Sequence, residues 1–283
     1  MKNAFLGEFI GTFMMLLFGC GSVAVTVLFG SLMGQLQIAV VWGVSIALAI
    51  YATRNICCAH FNPAVSVAMV LSGRMAPQKL PVYLAGQLSG AFAGSLLVYG
   101  LFAPSIRVYE QTHGIVRGTF ASVATAKIFG EYYRQPGSSA QVGMGLAAAA
   151  ELVGTFILVF VIFCLTENCN VGKPDSSLQP LFIGLTVTVI QCIIAPLTQA
   201  GLNPARDFMP RLVALMGGWK SQALPDTSGG FFWVYILAPI VGGILAGMLF
   251  TKVIEPSMKK ENQPDMCCCG RMEKRQKRRT GSA

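Results

Sequence analysis

AHFNPAV at residues 59–65 and GLNPARDF at residues 201–208 are the two stretches that decide the fold of this sequence. Both contain Asn-Pro-Ala, as Asn62-Pro63-Ala64 and as Asn203-Pro204-Ala205, and each lies in a short break between long apolar runs. Asn is a favoured N-cap, and Pro fits the first turn of a helix because its missing N–H would have no partner there. One copy would indicate an ordinary capped helix. Two copies in matching breaks predict a pair of half-helices that meet at mid-membrane.

The composition places the chain in a bilayer. It has 283 residues, of which 54% are hydrophobic and 12% charged, with a mean hydropathy of +0.60. A soluble domain would carry roughly a quarter charged residues. At about 20 residues per crossing, six stretches are long enough to span. They lie near 4–29, 36–55, 79–103, 142–166, 177–197 and 232–254. The segments at 62–73 and 203–215 are long enough for half a crossing.

The two halves of the chain repeat one another. EFIGTF at residues 8–13 matches ELVGTF at 151–156, and the two Asn-Pro-Ala copies lie at nearly the same separation. Each repeat, 1–103 and 142–254, holds three spans, and an odd number requires the second copy to be inverted in the membrane. The fold class is therefore an all-α membrane protein with six spans and two half-helices. In the third span Gly86, Gly90 and Gly94 recur every four residues, which predicts close helix packing.

The formal net charge of +9 is concentrated near the C-terminus. A basic tail at 255–283, expected to be disordered, favours cytoplasmic termini and contact with anionic membrane lipid rather than nucleic acid. The connection 104–141 would then be a long extracellular or periplasmic loop, although it also carries basic residues. The first apolar run is too long for a signal peptide and should be retained. No cysteine pair has metal-ligand spacing, and no nucleophile and base converge, so we expect no metal, no cofactor and no enzyme activity.

The breaks supply the candidate pore residues. If the two half-helix N-termini meet, their positive dipole ends oppose a cation, and the Asn62 and Asn203 amides can donate hydrogen bonds to a passing neutral solute. Glu8 and Glu151 lie inside spans at equivalent repeat positions. We expect each to accept hydrogen bonds from backbone N–H groups of the nearby break, and the alternative is a proton relay. His60 could line the cytoplasmic half of the pore or cap a turn.

Arg206 directly follows the second Asn-Pro-Ala. At a pore entrance it would offer a fork of donors to solute hydroxyls and repel cations, and the alternative is a surface arginine paired with Asp207. Trp42 lies in the second span, where spacing alone is equally consistent with a residue that packs or faces lipid.

These motifs resemble the major intrinsic protein family, the aquaporins and glycerol facilitators, from about Phe5 to Ile254. The resemblance implies a right-handed bundle of six tilted helices and two half-helices, assembled as a homotetramer with one pore per subunit. Asp207 followed by Arg211 is similar to the glycerol-facilitator branch. The family's constriction falls on Trp42, Gln191, Ala200 and Arg206, where glycerol facilitators usually have Gly and an aromatic residue at the second and third of these positions.

The leading hypothesis is a passive channel for small uncharged polyols, glycerol and 1,2-propanediol, with some water permeability, in a bacterial inner membrane. A second channel hypothesis is a wider pore for urea or metalloid acids, or a water channel, because Gln191 and Ala200 depart from the glycerol pattern. Two hypotheses from other classes are a proton-coupled transporter that uses Glu8 and Glu151, and a scaffold protein with a closed pore.

Overall fold

The protein is described from a computed structural model that covers residues 1–32, 34–136, 142–225 and 230–261. These residues form helices and connections, without a β-strand among them. Six helices are long and apolar enough to cross a membrane, as the hydropathy predicted. They are α1 (Lys2–Phe29), α2 (Gln35–Thr53), α4 (Leu80–Thr112), α6 (Met144–Thr166), α7 (Gln179–Thr198) and α9 (Gly230–Lys260). Three shorter helices are α3 (Pro63–Leu71), α5 (Val123–Ala126) and α8 (Pro204–Ala214).

The short helices α3 and α8 begin at the prolines of the two Asn-Pro-Ala motifs. They contain 9 and 11 residues, so each is roughly 15 Å long at 1.5 Å per residue, about half a bilayer core. Asn62 and Asn203 have extended backbones, and both side chains cap the helix that follows. The Asn62 side chain accepts from the Ala64 N–H at 2.9 Å, and Asn203 accepts from the Ala205 N–H at 3.0 Å. The predicted capping by asparagine is confirmed.

Glycines bring α1 and α4 into close contact. A Cβ atom added at Gly90 would lie 2.3 Å from the Phe9 carbonyl oxygen, and one at Gly94 would lie 2.7 Å from the Phe13 carbonyl oxygen. No side chain fits at such distances, so the two backbones approach one another only because these positions lack a Cβ. The prediction of close packing along this glycine series is confirmed.

Helix α4 continues nine residues beyond the predicted end of the third span, with Pro104 inside it. The expectation of a loop from residue 104 is therefore wrong for its first part. Tertiary contacts explain the extension, because Ile106 is fully buried and the Glu110 carboxylate accepts hydrogen bonds from Arg117 and Thr125. These contacts stabilise helical backbone that propensity alone would not specify.

The rest of the connection is packed against the helices. It forms a 3₁₀ turn at Phe120–Ser122 and then α5, and its residues Ile128 and Phe129 are almost fully buried. The segment predicted as an extracellular loop thus contributes to the core at one end of the bundle. Its last part, 137–141, lies outside the described residues.

The first residues of the tail that was predicted to be disordered are helical. Helical structure continues through Glu255–Glu261, where the basic tail was expected to begin. Residues 262–283 of that predicted tail, including Cys267–Cys269, lie outside the described residues. At the same end of the bundle, Arg74 pairs with Glu167 at 2.6 Å and with Glu255 at 2.8 Å, which links the segment after α3 to both α6 and α9.

Candidate pore and constriction

The two half-helices meet through reciprocal hydrogen bonds between their N-terminal ends. The Asn62 Nδ2 atom donates to the Leu202 carbonyl at 2.9 Å, and the Asn203 Nδ2 atom donates to the Phe61 carbonyl at 2.8 Å. Each amide nitrogen carries two hydrogens, so one remains on each side chain for another acceptor. Both asparagines are buried and line the same cavity.

Glu8 holds the first broken segment in place. Its carboxylate accepts from the backbone N–H groups of His60 and Phe61 and from the Gln87 side chain, each at 2.8 Å. The residue is fully buried, and both of its oxygens act as acceptors. The predicted bonds from the break to this glutamate are confirmed.

Glu151 holds the second broken segment in place in the same way. It accepts from the Thr198 hydroxyl at 2.6 Å and from the backbone N–H groups of Gly201 at 2.8 Å and Leu202 at 2.6 Å. It is also fully buried. Neither Glu8 nor Glu151 is among the residues that line the two cavities near the half-helices.

The broken segments have an unusual backbone that explains why they need these acceptors. Ala59 and Phe61 have φ of 54° and 51°, and Ala200 and Leu202 have φ of 58° and 55°. Left-handed conformations of residues other than glycine are unfavourable by roughly 1–2 kcal/mol each. Alternation of such residues with extended or right-handed ones turns successive N–H groups towards one point, which forms an anion-binding concavity that the glutamate fills.

Two cavities approach the meeting point of α3 and α8. We call the first the His60 vestibule; it has a volume of about 380 Å³, and its lining includes Met15, Ile46, Ile50, His60, Asn62, Val187 and Asn203. We call the second the Trp42 vestibule; it has a volume of about 260 Å³, and its lining includes Val27, Ile38, Trp42, Glu131, Gln191 and Arg206.

The two vestibules lie in line along the bundle. On α2, Ile46 lines the His60 vestibule and Trp42 lines the Trp42 vestibule. On α7, Val187 lines the His60 vestibule and Gln191 lines the Trp42 vestibule. Four residues of helix correspond to about 6 Å. The vestibules therefore approach one another to about one helical turn on both helices, and Trp42 and Gln191 lie at the near end of the Trp42 vestibule, which is the candidate constriction.

Arg206 and Trp42 are in direct contact in the wall of the candidate constriction. The Arg206 guanidinium carbon lies 4.0 Å from the centre of the Trp42 ring, and both residues are more than nine-tenths buried. The Arg206 Nη2 atom forms an ion pair with Glu131 Oε1. Asp207, the partner considered in the alternative interpretation of Arg206, instead pairs with Arg211, at 2.7 Å. When the Glu131 carboxyl is ionised, its charge offsets that of Arg206. The repulsion of cations by Arg206 stays a prediction.

Glu131 comes from the connection after α5, and the sequence analysis did not identify it. Its backbone N–H donates to the Asp207 carboxylate at 2.8 Å, and its carbonyl accepts from the Arg211 guanidinium. Side chains of α8 therefore fix this residue on both sides. The available signal was a lone acidic residue in the aromatic stretch FGEYY at 129–133.

Burial raises the pKa of Glu131 to about 8, and the adjacent Arg206 opposes that rise. The charged groups around its carboxylate are Arg206, Arg211, Asp207, Glu151 and Lys127. A group with this pKa changes its charge within the range in which transport can be measured.

The structure brings together three of the four predicted constriction residues. Trp42, Gln191 and Arg206 line the Trp42 vestibule, whereas Ala200 is not among its lining residues. Ala200 is 3% exposed and belongs to an apolar cluster with Leu158, Val187, Ile190 and Leu202. A role for Ala200 in the constriction stays a prediction.

His60 lines the vestibule named after it, and its Nδ1 atom lies 3.0 Å from the Ser66 hydroxyl. Gln87 donates to that hydroxyl at 2.9 Å and also to Glu8, so a chain of polar contacts joins the histidine to the support of the first break. Among the described residues, no group of three His, Cys, Asp or Glu side chains is placed to hold a metal ion.

This architecture defines a multi-pass membrane protein built around a two-fold pathway, and the comparisons with known proteins agree. The chain belongs to the major intrinsic protein family, and the sequence model of that family matches residues 1–250. It is similar to the glycerol uptake facilitator protein of Escherichia coli K12, with 38% identity over 90% of this chain and 89% of that protein. The propanediol uptake facilitator PduF of Citrobacter freundii shows 38% identity over 90% and 93% of the two chains.

A solved structure shows the same fold. The aquaglyceroporin from Plasmodium falciparum superimposes with a TM-score of 0.79 and 27% identity, over 92% of this chain and 99% of that one.

Proposed function

We propose that this protein is a passive channel for small uncharged polyols, namely glycerol and 1,2-propanediol, with some water permeability. The observation that carries the proposal is the constriction between two aligned vestibules, where an aromatic ring faces an arginine fork and an amide. Relatives named as glycerol and propanediol facilitators support the same solute class. The chain is proposed to be a channel rather than an enzyme.

The mechanism is transfer between hydrogen-bond partners, without a covalent step. A solute in single file places its carbons against the Trp42 ring while Arg206 and Gln191 bond its hydroxyls. At the meeting point of the half-helices it exchanges these partners for the free amide hydrogens of Asn62 and Asn203. The N-terminal dipole ends of α3 and α8 oppose a cation there.

A wider pore for urea or metalloid acids is the second candidate. It is favoured by Ala200, because the small side chain leaves no aromatic wall at a position that glycerol facilitators fill. The double substitution Gln191→Gly and Ala200→Phe should narrow the set of permeant solutes towards glycerol. If the order of solute permeabilities stays unchanged, these two positions do not form the constriction.

The placement in the membrane is part of the proposal. Residues 1–103 and 142–254 form inverted repeats, both termini lie in the cytoplasm, and the His60 vestibule opens on the cytoplasmic side. The membrane is the bacterial inner membrane, and four subunits with one pore each form the assembly. Large apolar side chains exposed on the spanning helices, such as Leu48, Val189 and Ile193, supply surface for lipid or neighbouring subunits.

The test is stopped-flow light scattering of proteoliposomes exposed to glycerol, 1,2-propanediol, urea and sorbitol, with protein-free liposomes as the control. Rapid re-swelling with the two small polyols but not with sorbitol is expected. Rapid water flow without entry of any solute would contradict the polyol proposal and identify a water channel. Faster entry of urea than of glycerol would favour the wider pore.

A further inference from the structure

Three buried polar atoms without hydrogen-bond partners converge on the Trp42 vestibule. They are Trp42 Nε1, Gln191 Oε1 and Glu131 Oε2, on side chains that are 3%, 4% and 2% exposed. An unpartnered buried polar atom is unfavourable by about 1–3 kcal/mol, and such atoms are rare in folded proteins. Because all three side chains line one cavity, molecules that enter this cavity are the candidate partners of these atoms.

The chemistry of these atoms defines what they can bind. The indole N–H of Trp42 is a donor only, whereas Gln191 Oε1 and Glu131 Oε2 are acceptors. Glu131 uses its other oxygen for Arg206, so Oε2 remains for the vestibule. Two acceptors on the lining of one cavity require hydrogens from the solute, which a hydroxyl group supplies and a ketone oxygen does not.

Glu131 is held firmly enough to act as a recognition group. Its N–H and carbonyl are bonded to the two charged side chains of α8 described above, and the next residue is also fixed, since the Tyr132 N–H donates to Gln199 Oε1 at 2.8 Å. Because the backbone is fixed on both sides and the side chain is paired with Arg206, Glu131 loses little conformational freedom when a solute binds.

We propose that Glu131 and Gln191 together select solutes by their O–H donors, which makes Glu131 a specificity-determining residue of the constriction. The inference rests on the proposed channel function and narrows its solute class. Small vicinal polyols should pass faster than ketones with the same carbon skeleton: glycerol faster than dihydroxyacetone, and 1,2-propanediol faster than hydroxyacetone. Each pair differs by one hydroxyl that has become a carbonyl, so shape and size are nearly constant.

The experiment measures both permeability ratios in proteoliposomes at pH 9, where the Glu131 carboxylate is ionised, after subtraction of the rates of protein-free liposomes. In the unmodified protein each polyol should pass about three- to tenfold faster than its ketone. Gln191→Met removes one acceptor and leaves the Arg206–Glu131 pair intact. Glu131→Gln removes the charge and keeps the shape. Both variants should lower the ratios about threefold or more.

Thr26→Val is the matched control. It lines the same vestibule and is nearly isosteric, but the Thr26 hydroxyl already donates to the Ser22 carbonyl at 2.9 Å, so the ratios should not change. If Gln191→Met and Glu131→Gln conduct glycerol with unchanged ratios, the selection proposal is overturned while the channel stands. If the unmodified protein passes glycerol no faster than empty liposomes, the channel function itself fails. Should Glu131→Gln not fold, Gln191→Met decides alone.

Discussion

Replacement of Glu8 by glutamine tests whether the first break depends on a carboxylate. The Oε1 atom accepts from the His60 N–H, and Oε2 accepts from the Phe61 N–H and from Gln87. A glutamine has one oxygen and one NH₂ group. In its better orientation it keeps two of the three bonds and turns the NH₂ group towards the His60 N–H, so a donor faces a donor.

The magnitude follows from these contacts. The orphaned backbone N–H is unfavourable by about 1–3 kcal/mol, and the two surviving bonds lose their charge assistance, so we expect a loss of about 2–4 kcal/mol in the free energy of unfolding. The left-handed strain at Ala59 and Phe61 remains, at roughly 1–2 kcal/mol each, with less to oppose it. The segment should therefore relax, and the Phe61 carbonyl that Asn203 bonds should move.

The assay combines thermal unfolding in detergent with glycerol flux per folded channel in proteoliposomes. For Glu8→Gln we expect a lower unfolding midpoint and a lower flux. Glu110→Gln is the control, since Glu110 is also buried and hydrogen-bonded but contacts Arg117 and Thr125 rather than a broken segment. It should lower the midpoint and leave the flux unchanged. A Glu8→Gln protein with the midpoint and flux of the unmodified channel would refute the argument.

Three further predictions follow from single contacts. Gly90→Ala should destabilise the protein by about 1–3 kcal/mol, because the added methyl group meets the Phe9 carbonyl, whereas Gly100→Ala on the same helix meets nothing within 4 Å and should be neutral or stabilising in thermal unfolding. The preference for glycerol over dihydroxyacetone should fall as the pH drops from 9 to 6.5. Burial raises the pKa of Glu131 to about 8, so the carboxylate takes up a proton in this range and ceases to be a charged acceptor. In Glu131→Gln the same preference should not change with pH. Arg74→Met should lower the unfolding midpoint, since it leaves two partly buried carboxylates without their partner, while the solute ratios stay as they were.

Local chemistry made a large part of this fold predictable. Helix starts are set by the cap and the first turn, so the Asn-Pro-Ala motifs located α3 and α8 closely. Glu8 and Glu151 could be assigned as acceptors for the breaks because a carboxylate inside a span needs donors, and the nearest unsatisfied N–H groups in each repeat lie in its break. In both cases the hydrogen-bond partners lie within the same repeat, so the sequence of one repeat is enough to predict them.

The parts that could not be predicted depend on contacts between distant segments. Helix α4 continues past Pro104 because Glu110 finds partners in the following connection, and no local pattern contains that information. The alternative interpretation of Arg206, a surface residue paired with its neighbour Asp207, is wrong, because Arg206 is buried and pairs with Glu131. On a helix, however, successive residues point in different directions, and Asp207 instead meets Arg211 one turn later.

The pairing of Arg206 with Glu131 changes how the pathway can exclude ions. An unpaired arginine would repel cations at the constriction, but one paired with an ionised Glu131 does so to a lesser extent. Under the proposed mechanism, the opposition to cations falls on the N-terminal ends of α3 and α8, where Asn62 and Asn203 meet. The constriction discriminates by hydrogen bonding, with Glu131 and Gln191 as acceptors and the Trp42 N–H as a donor. Because different groups then exclude charge and choose the solute, a substitution at Gln191 should change the solute ratios without admitting protons.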